Sequence, residues 1–124
     1  MADNKQYITQ KQEKGALLIS EDVIATIITH AASEVEGIVC LTSRSGSELG
    51  DIISKKNRGR GIRVTVGQND EVTIDCNIIV AYGNSVVAVS SALQNAVISA
   101  VDSMTGIKIN TVNVNVCGIV RKQG

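Results

Sequence analysis

At 124 residues, with twelve basic and twelve acidic side chains, the chain has room for one domain and no net charge, which excludes a global field drawing it to nucleic acid or an anionic membrane. It contains no Phe, Trp or Pro and two Tyr, so base-stacking platforms and proline-rich ligand motifs are excluded too. Sixteen Ile and sixteen Val against five Leu point to a sheet-rich core, because β-branched side chains are stiff at χ1 and pack well on a pleated surface.

Residues 1–14 are polar and without period, which predicts a flexible N-terminal arm whose only sizeable apolar groups are Tyr7 and Ile8. The start lacks the apolar core of a secretory signal, and no apolar run approaches the ~18 residues a membrane span needs, so a cytoplasmic location is expected. Residues 16–19 form a short apolar strand. Ser20 sits where an N-cap hydroxyl accepts a backbone N–H, and Glu21 and Asp22 follow at the positive helix end. Ile24, Ile27, Ile28, Ala31 and Val35 make one helix face, Gly37 supplies its stop, and residues 38–41 are the next strand. His30, the single histidine, has Glu34 at i+4, which reads as a surface pairing rather than a catalytic base.

Residues 42–61 are the least regular stretch, with Gly46, Gly50, Gly59 and Gly61 around a short helix at Leu49, Ile52 and Ile53 and a basic end, "KKNRGRG". Ile62, Val64 and Val66 then alternate with Arg63 and Thr65, and the polar residues 67–70 turn this strand back into the next. Val72, Ile74, Cys76, Ile78, Val80 and Tyr82 alternate with Thr73, Asp75, Asn77, Ile79 and Ala81. After Gly83 the spacing changes to Val86, Val89, Leu93, Val97, Ala100 or Val101, and Met104, a helical stripe that Gly106 ends. Ile109 and Val112 both read as buried, yet three residues separate them, so a bulge or a late strand start is expected before Val112, Val114 and Val116.

The predicted fold is α+β, a two-layer sandwich of order β-α-β-β-β-α-β with two helices on one face of a mixed sheet. It comprises the arm 1–14, a domain over 15–120 and a tail at 121–124. Thr65, Thr73, Asp75, Asn77, Asn113 and Asn115 make the second face polar, with Ile79 and Ala81 as apolar exceptions and candidates for self-association.

Reactive groups are sparse. No nucleophile elbow, P-loop or dinucleotide fingerprint occurs, and no catalytic residue, metal site or cofactor is expected. Cys40, Cys76 and Cys117 show no CxxC spacing and read as small hydrophobes in strands. The best functional candidate is the basic run Lys55, Lys56, Arg58, Arg60 and Arg63, suited to an acidic protein partner. The alternative is an RNA-binding module, since "RGRG" is similar to the glycine loop of KH-type RNA binders; a hydrolase ranks below both.

The segments "GALLISEDVIATIITHAASEVEGIV", "VTIDCNIIVAYGNSV", "AVDSMTG" and "VNVNVCGI" resemble, in order and spacing, the blocks of the alkaline shock protein family, also called envelope stress response proteins. The resemblance spans residues 15–120 and has the length of the short single-domain type. It implies a non-enzymatic cytoplasmic scaffold of Gram-positive bacteria, linked to cell-envelope stress. It also implies self-association into a homo-oligomer and a protein partner that is membrane-anchored. The family offers no catalytic residues to transfer, and the long acidic tail of some relatives has no counterpart here.

Overall fold

The computed structural model describes residues 7–42, 61–68 and 71–121. In chain order its elements are β1 (Tyr7–Gln12), β2 (Gly15–Ser20), α1 (Glu21–Ser33), β3 (Ile38–Leu41), β4 (Ile62–Val66), β5 (Val72–Ala81), α2 (Val86–Thr105) and β6 (Thr111–Val120).

Everything else assembles on β5. Its row Val72, Ile74, Cys76, Ile78 and Val80 is exposed by no more than 1%, while Thr73, Asp75, Asn77 and Ile79 keep part of their surface. This is the period-two alternation of the sequence turned into an inside and an outside. Both helices lie on the inner row: Ile24 and Ile28 of α1 and Val89, Leu93, Val97 and Val101 of α2 join one core cluster with it. The two-layer α+β architecture expected from the sequence is the one observed.

β5, α2 and β6 form a crossover unit with β6 parallel to β5. Ser85 caps α2 by accepting the Ala88 N–H at 3.2 Å, and Gly106 ends it with φ 78°, its N–H donating to the Asp102 carbonyl at 2.8 Å. The irregularity before β6 is a late strand start. Asn110 donates its N–H to the Val72 carbonyl at 3.0 Å, and its Oδ1 accepts the Val72 N–H at 2.9 Å, so one residue opens the ladder from both ends while Ile109 and Val112 stay buried.

By length and composition α2 is also long and apolar enough to cross a membrane, with 20 residues and a mean hydropathy of 1.3. This corrects the expectation that no run reaches span length. Ser90, Ser91, Gln94 and Asn95 break the run to the eye, but they are uncharged and the first charge arrives at Asp102. In the fold, α2 is the crossover helix with its Val89–Leu93–Val97–Val101 stripe against the sheet.

On the other side of β5, β3 and β4 lie end to end. Val66 to Ile62 pair with Val72 to Cys76, and Ile38 to Leu41 pair with Val80 to Ile78, both antiparallel. The junction is Asn77, whose carbonyl accepts the Thr42 N–H at 3.0 Å and whose N–H donates to the Gly61 carbonyl at 2.9 Å. The two short strands are therefore one edge strand, interrupted where the chain leaves at Thr42 and returns at Gly61. Gly61 has φ 76°, and a Cβ there would meet the Thr42 carbonyl oxygen at 2.4 Å. The short helix expected near Leu49 lies outside the described residues.

Two boundaries differ from the sequence reading. The arm expected over residues 1–14 is, in its described part, a hairpin: β1 pairs antiparallel with β2 from Tyr7 opposite Ser20 to Gln12 opposite Gly15. Among its described side chains, Ile8 and Ile19 reach the core while Leu18 stays 59% exposed. The first helix also stops at Ser33 rather than Val35. Glu34 and Val35 turn back on the Ala31 and Ala32 carbonyls before Gly37 redirects the chain. Its N-cap is as expected, with Ser20 Oγ accepting the Val23 N–H at 3.3 Å.

Two outcomes test this arrangement. Gly61→Ala combines a left-handed backbone with a clash against Thr42, so urea unfolding should show a loss above about 2 kcal/mol, exceeding that of Gly83→Ala, where φ is 101° but an added Cβ would meet nothing within 4 Å and the conformational cost of about 1 kcal/mol stands alone. Burial, reinforced by the neighbouring Asp75 carboxylate, pushes the Cys76 thiol from 9.0 up to about 12. The folded state holds that proton more tightly than the unfolded chain, so its stabilising effect is complete below pH 9 and is lost as pH rises towards 12. The stability difference between wild type and Cys76→Ala should accordingly shrink across that window, by at most about 1.4 kcal/mol per pH unit.

Candidate functional site

The face of the sheet away from the helices is uncovered by any described element. Because paired residues on neighbouring strands share a face, it is built of cross-strand rows. Thr65, Thr73 and Thr111 form the first, and Arg63, Asp75 and Asn113 the second, where Asn113 Nδ2 donates to Asp75 Oδ1 at 3.0 Å. In the third, Asn115 Nδ2 donates to Asn77 Oδ1 at 2.9 Å. The fourth turns apolar: Cys40, Ile79 and Gly118 lie side by side, and a Cβ on Gly118 would come within 3.2 Å of Ile79 Cδ1, so the glycine gives that side chain its room. Ala81 and Val120 form the last row.

Of the residues singled out in the sequence, Arg63 is exposed on this face in line with Asp75, and Ile79 is partly exposed near its apolar end. Lys55, Lys56, Arg58 and Arg60 lie outside the described residues, between the two chain ends that meet at Asn77. Ala81 offers little surface, and the expectation that it stands exposed is corrected: it is 7% exposed. Its N–H donates to the Gly37 carbonyl, its own carbonyl accepts from Asn84, and Val120 lies across from it. Alternation alone places this position in solvent.

Other exposed groups escape the alternation rule. A register shift between Ile38 and Cys40 leaves Val39 exposed, and a second shift, between Ile78 and Ile79, carries β6 on to Ile119 and Val120, both exposed. Tyr82 is 69% exposed, with its N–H donating to the Val120 carbonyl at 2.7 Å and the Arg121 guanidinium 5.6 Å over its ring. The glycine in "VCGIV" was the available signal for the second shift. All three cysteines lie in strands, but only Cys76 is a core residue; Cys40 and Cys117 are exposed.

The groups capable of acid-base chemistry are dispersed. His30 Nε2 lies 3.4 Å from Glu34 Oε2 on the solvent side of α1, as the i+4 spacing suggests. His30 and Cys40 both border the open groove between α1 and β3, together with Thr29 and Ser33, whose hydroxyls donate to the helix carbonyls of Ala25 and His30 at 2.8 and 2.7 Å. Among the described residues, no group of three or more His, Cys, Asp or Glu is placed to hold a metal ion. What the open face supplies is an extended surface, polar and charged at one end and apolar at the other, suited to contact rather than to enclosing a reactant.

A solved structure of similar fold is that of a double variant of MamM CTD, with a TM-score of 0.51 at 17% identity over 84% of this chain and 97% of that one. Among curated proteins, uncharacterized protein YloU of Bacillus subtilis is 32% identical over 90% of this chain and 94% of its own length. Uncharacterized protein YqhY of the same organism is 30% identical over 85% and 77%. Spy1535 of Streptococcus pyogenes, also an uncharacterized protein, is 32% identical over 88% and 82%. The model of the alkaline shock protein 23 family, described by a cell envelope-related function, matches residues 9–121. With the four sequence blocks falling on α1, β5, the end of α2 and β6, this chain belongs to that family.

Proposed function

We propose that this protein is a non-enzymatic, cytoplasmic interaction domain that serves as a scaffold in the cell-envelope stress response of Gram-positive bacteria. In this reading it binds protein partners, one of them membrane-anchored, and associates with copies of itself. The observation that carries the reading is the sheet face away from the helices: a row-patterned surface that no described element covers, in a domain whose described reactive side chains do not converge. The family's cell envelope-related description and relatives from Bacillus and Streptococcus support the setting.

Two kinds of contact divide the work. The basic run Lys55, Lys56, Arg58, Arg60 and Arg63 attracts an acidic partner through a field screened within ~8 Å at physiological ionic strength. Self-association uses apolar and strand-edge contacts, which do not depend on unscreened charge.

Lys55→Glu/Lys56→Glu should slow association with the acidic partner by about tenfold or more at low salt, with the difference collapsing at high salt. Sedimentation of the same variant should leave self-association unchanged. Capture of partners from a Gram-positive lysate, with and without nuclease, tests the scaffold itself. Retention of a membrane protein after nuclease is the expected outcome, and loss of all partners on nuclease treatment would replace the reading with RNA binding through residues 55–63.

A further inference from the structure

The sheet has two edges, and they are protected very differently. The β3–β4 edge is cut in the middle, where the chain departs at Thr42 and returns at Gly61, into strands of four and five residues, with Arg63 on the second. Short strands and charge are the usual means of blunting an edge. Among the described strands β6 pairs with β5 alone; it runs for ten residues and contains no Lys, Arg, Asp, Glu or Pro. Its register shift lies near the far end, so Thr111 to Val116 remain regular.

We propose that the β6 edge pairs antiparallel with β6 of a second copy, continuing the sheet across a two-fold axis at Val114. This rests on the self-association in the reading above and assigns its surface. A strand paired with itself meets its own side chains, so any charge near its centre would face the same charge; β6 carries none. The pattern is also self-complementary. An axis at Val114 sets Val112 opposite Val116 of the second copy on the inner face and Asn113 opposite Asn115 on the outer face, each twice. Val114 and Val116 are partly exposed hydrophobics already packed against the core, and pairing completes their burial. Asn113 and Asn115 each spend one amide hydrogen inward, on Asp75 and Asn77, which leaves each Oδ1 and a second amide hydrogen to meet its counterpart.

The helix beside this edge has the same character. Gln94 of α2 donates from Nε2 to the Val112 carbonyl at 3.0 Å, which fixes the side of α2 that lies over β6. That carbonyl points to the outer edge, so in the pairing its two lone pairs accept from both Gln94 and the Val116 N–H of the second copy. Val87, Ser91, Gln94 and Ile98 recur at helical spacing along that side, with Val87 78% and Ile98 38% exposed and no charge among the four. A two-fold at Val114 brings this stripe towards its copy, so strand edge and helix stripe form one continuous uncharged surface.

The experiment is sedimentation velocity of the full chain as wild type, as Asn115→Lys, as Asn115→Asp and as an equal mixture of the two variants, with circular dichroism confirming the fold of each. Position 115 of one copy lies diagonally across from position 115 of the other, within reach of a charged side chain. Wild type should dimerise, each variant alone should dimerise at least about tenfold more weakly, and the mixture should recover a heterodimer. A wild type that stays monomeric throughout would overturn both this proposal and the self-association it rests on. Variants that associate as tightly as wild type would overturn the β6 interface alone and leave self-association to another surface.

Discussion

The structure depends on the simultaneous occupation of both sides and one face of β5. Every described strand of the main sheet pairs with it, and the stripes of both helices pack on its Val72–Val80 row. A strand in that position has no unpaired backbone to hydrate and no inner side chain in water, so the burial of its five inner residues and the pairing of its ladder reinforce one another. The same fact determines what is left over. With both helices on one face, no described element covers the other, and with β3 and β4 sharing one side, β6 is the long edge that no other described strand pairs with.

Much of this was legible in the residues because each element answers to a local rule. The switch from alternation at Val72–Val80 to the three-and-four spacing of Val89, Leu93 and Val97, and back at Val112, identifies the crossover unit. The hydroxyl of Ser20 and the glycine at 106 mark two helix ends by chemistry that needs no tertiary context. The polar outer face follows from the same alternation, and the Asp75–Asn113 and Asn77–Asn115 pairs show those side chains satisfying one another across strands.

The features that escaped depend on contacts distant in sequence. Nothing near Thr42 or Gly61 reveals that both meet Asn77, so the split edge strand reads as a strand, a loop and another strand. Ala81 is buried at a strand end that bonds the Gly37 carbonyl, 44 residues upstream, and alternation cannot register that. The β1–β2 hairpin is bare of apolar periodicity because it pairs with itself, and of its described side chains Ile8 and Ile19 alone are buried. Of the candidate interaction residues, Arg63 and Ile79 fall on one open face, which gives the basic and apolar signals a common surface that spacing alone does not supply.

Native-state hydrogen exchange tests the role of β5 most directly. Amides of β5, from Val72 to Ala81, should be the slowest in the molecule and exchange with the free energy of global unfolding, while the β1–β2 hairpin opens separately at lower cost. Exchange of the β5 amides at the rate of the hairpin, or through an opening that leaves α2 and β6 protected, would contradict the account.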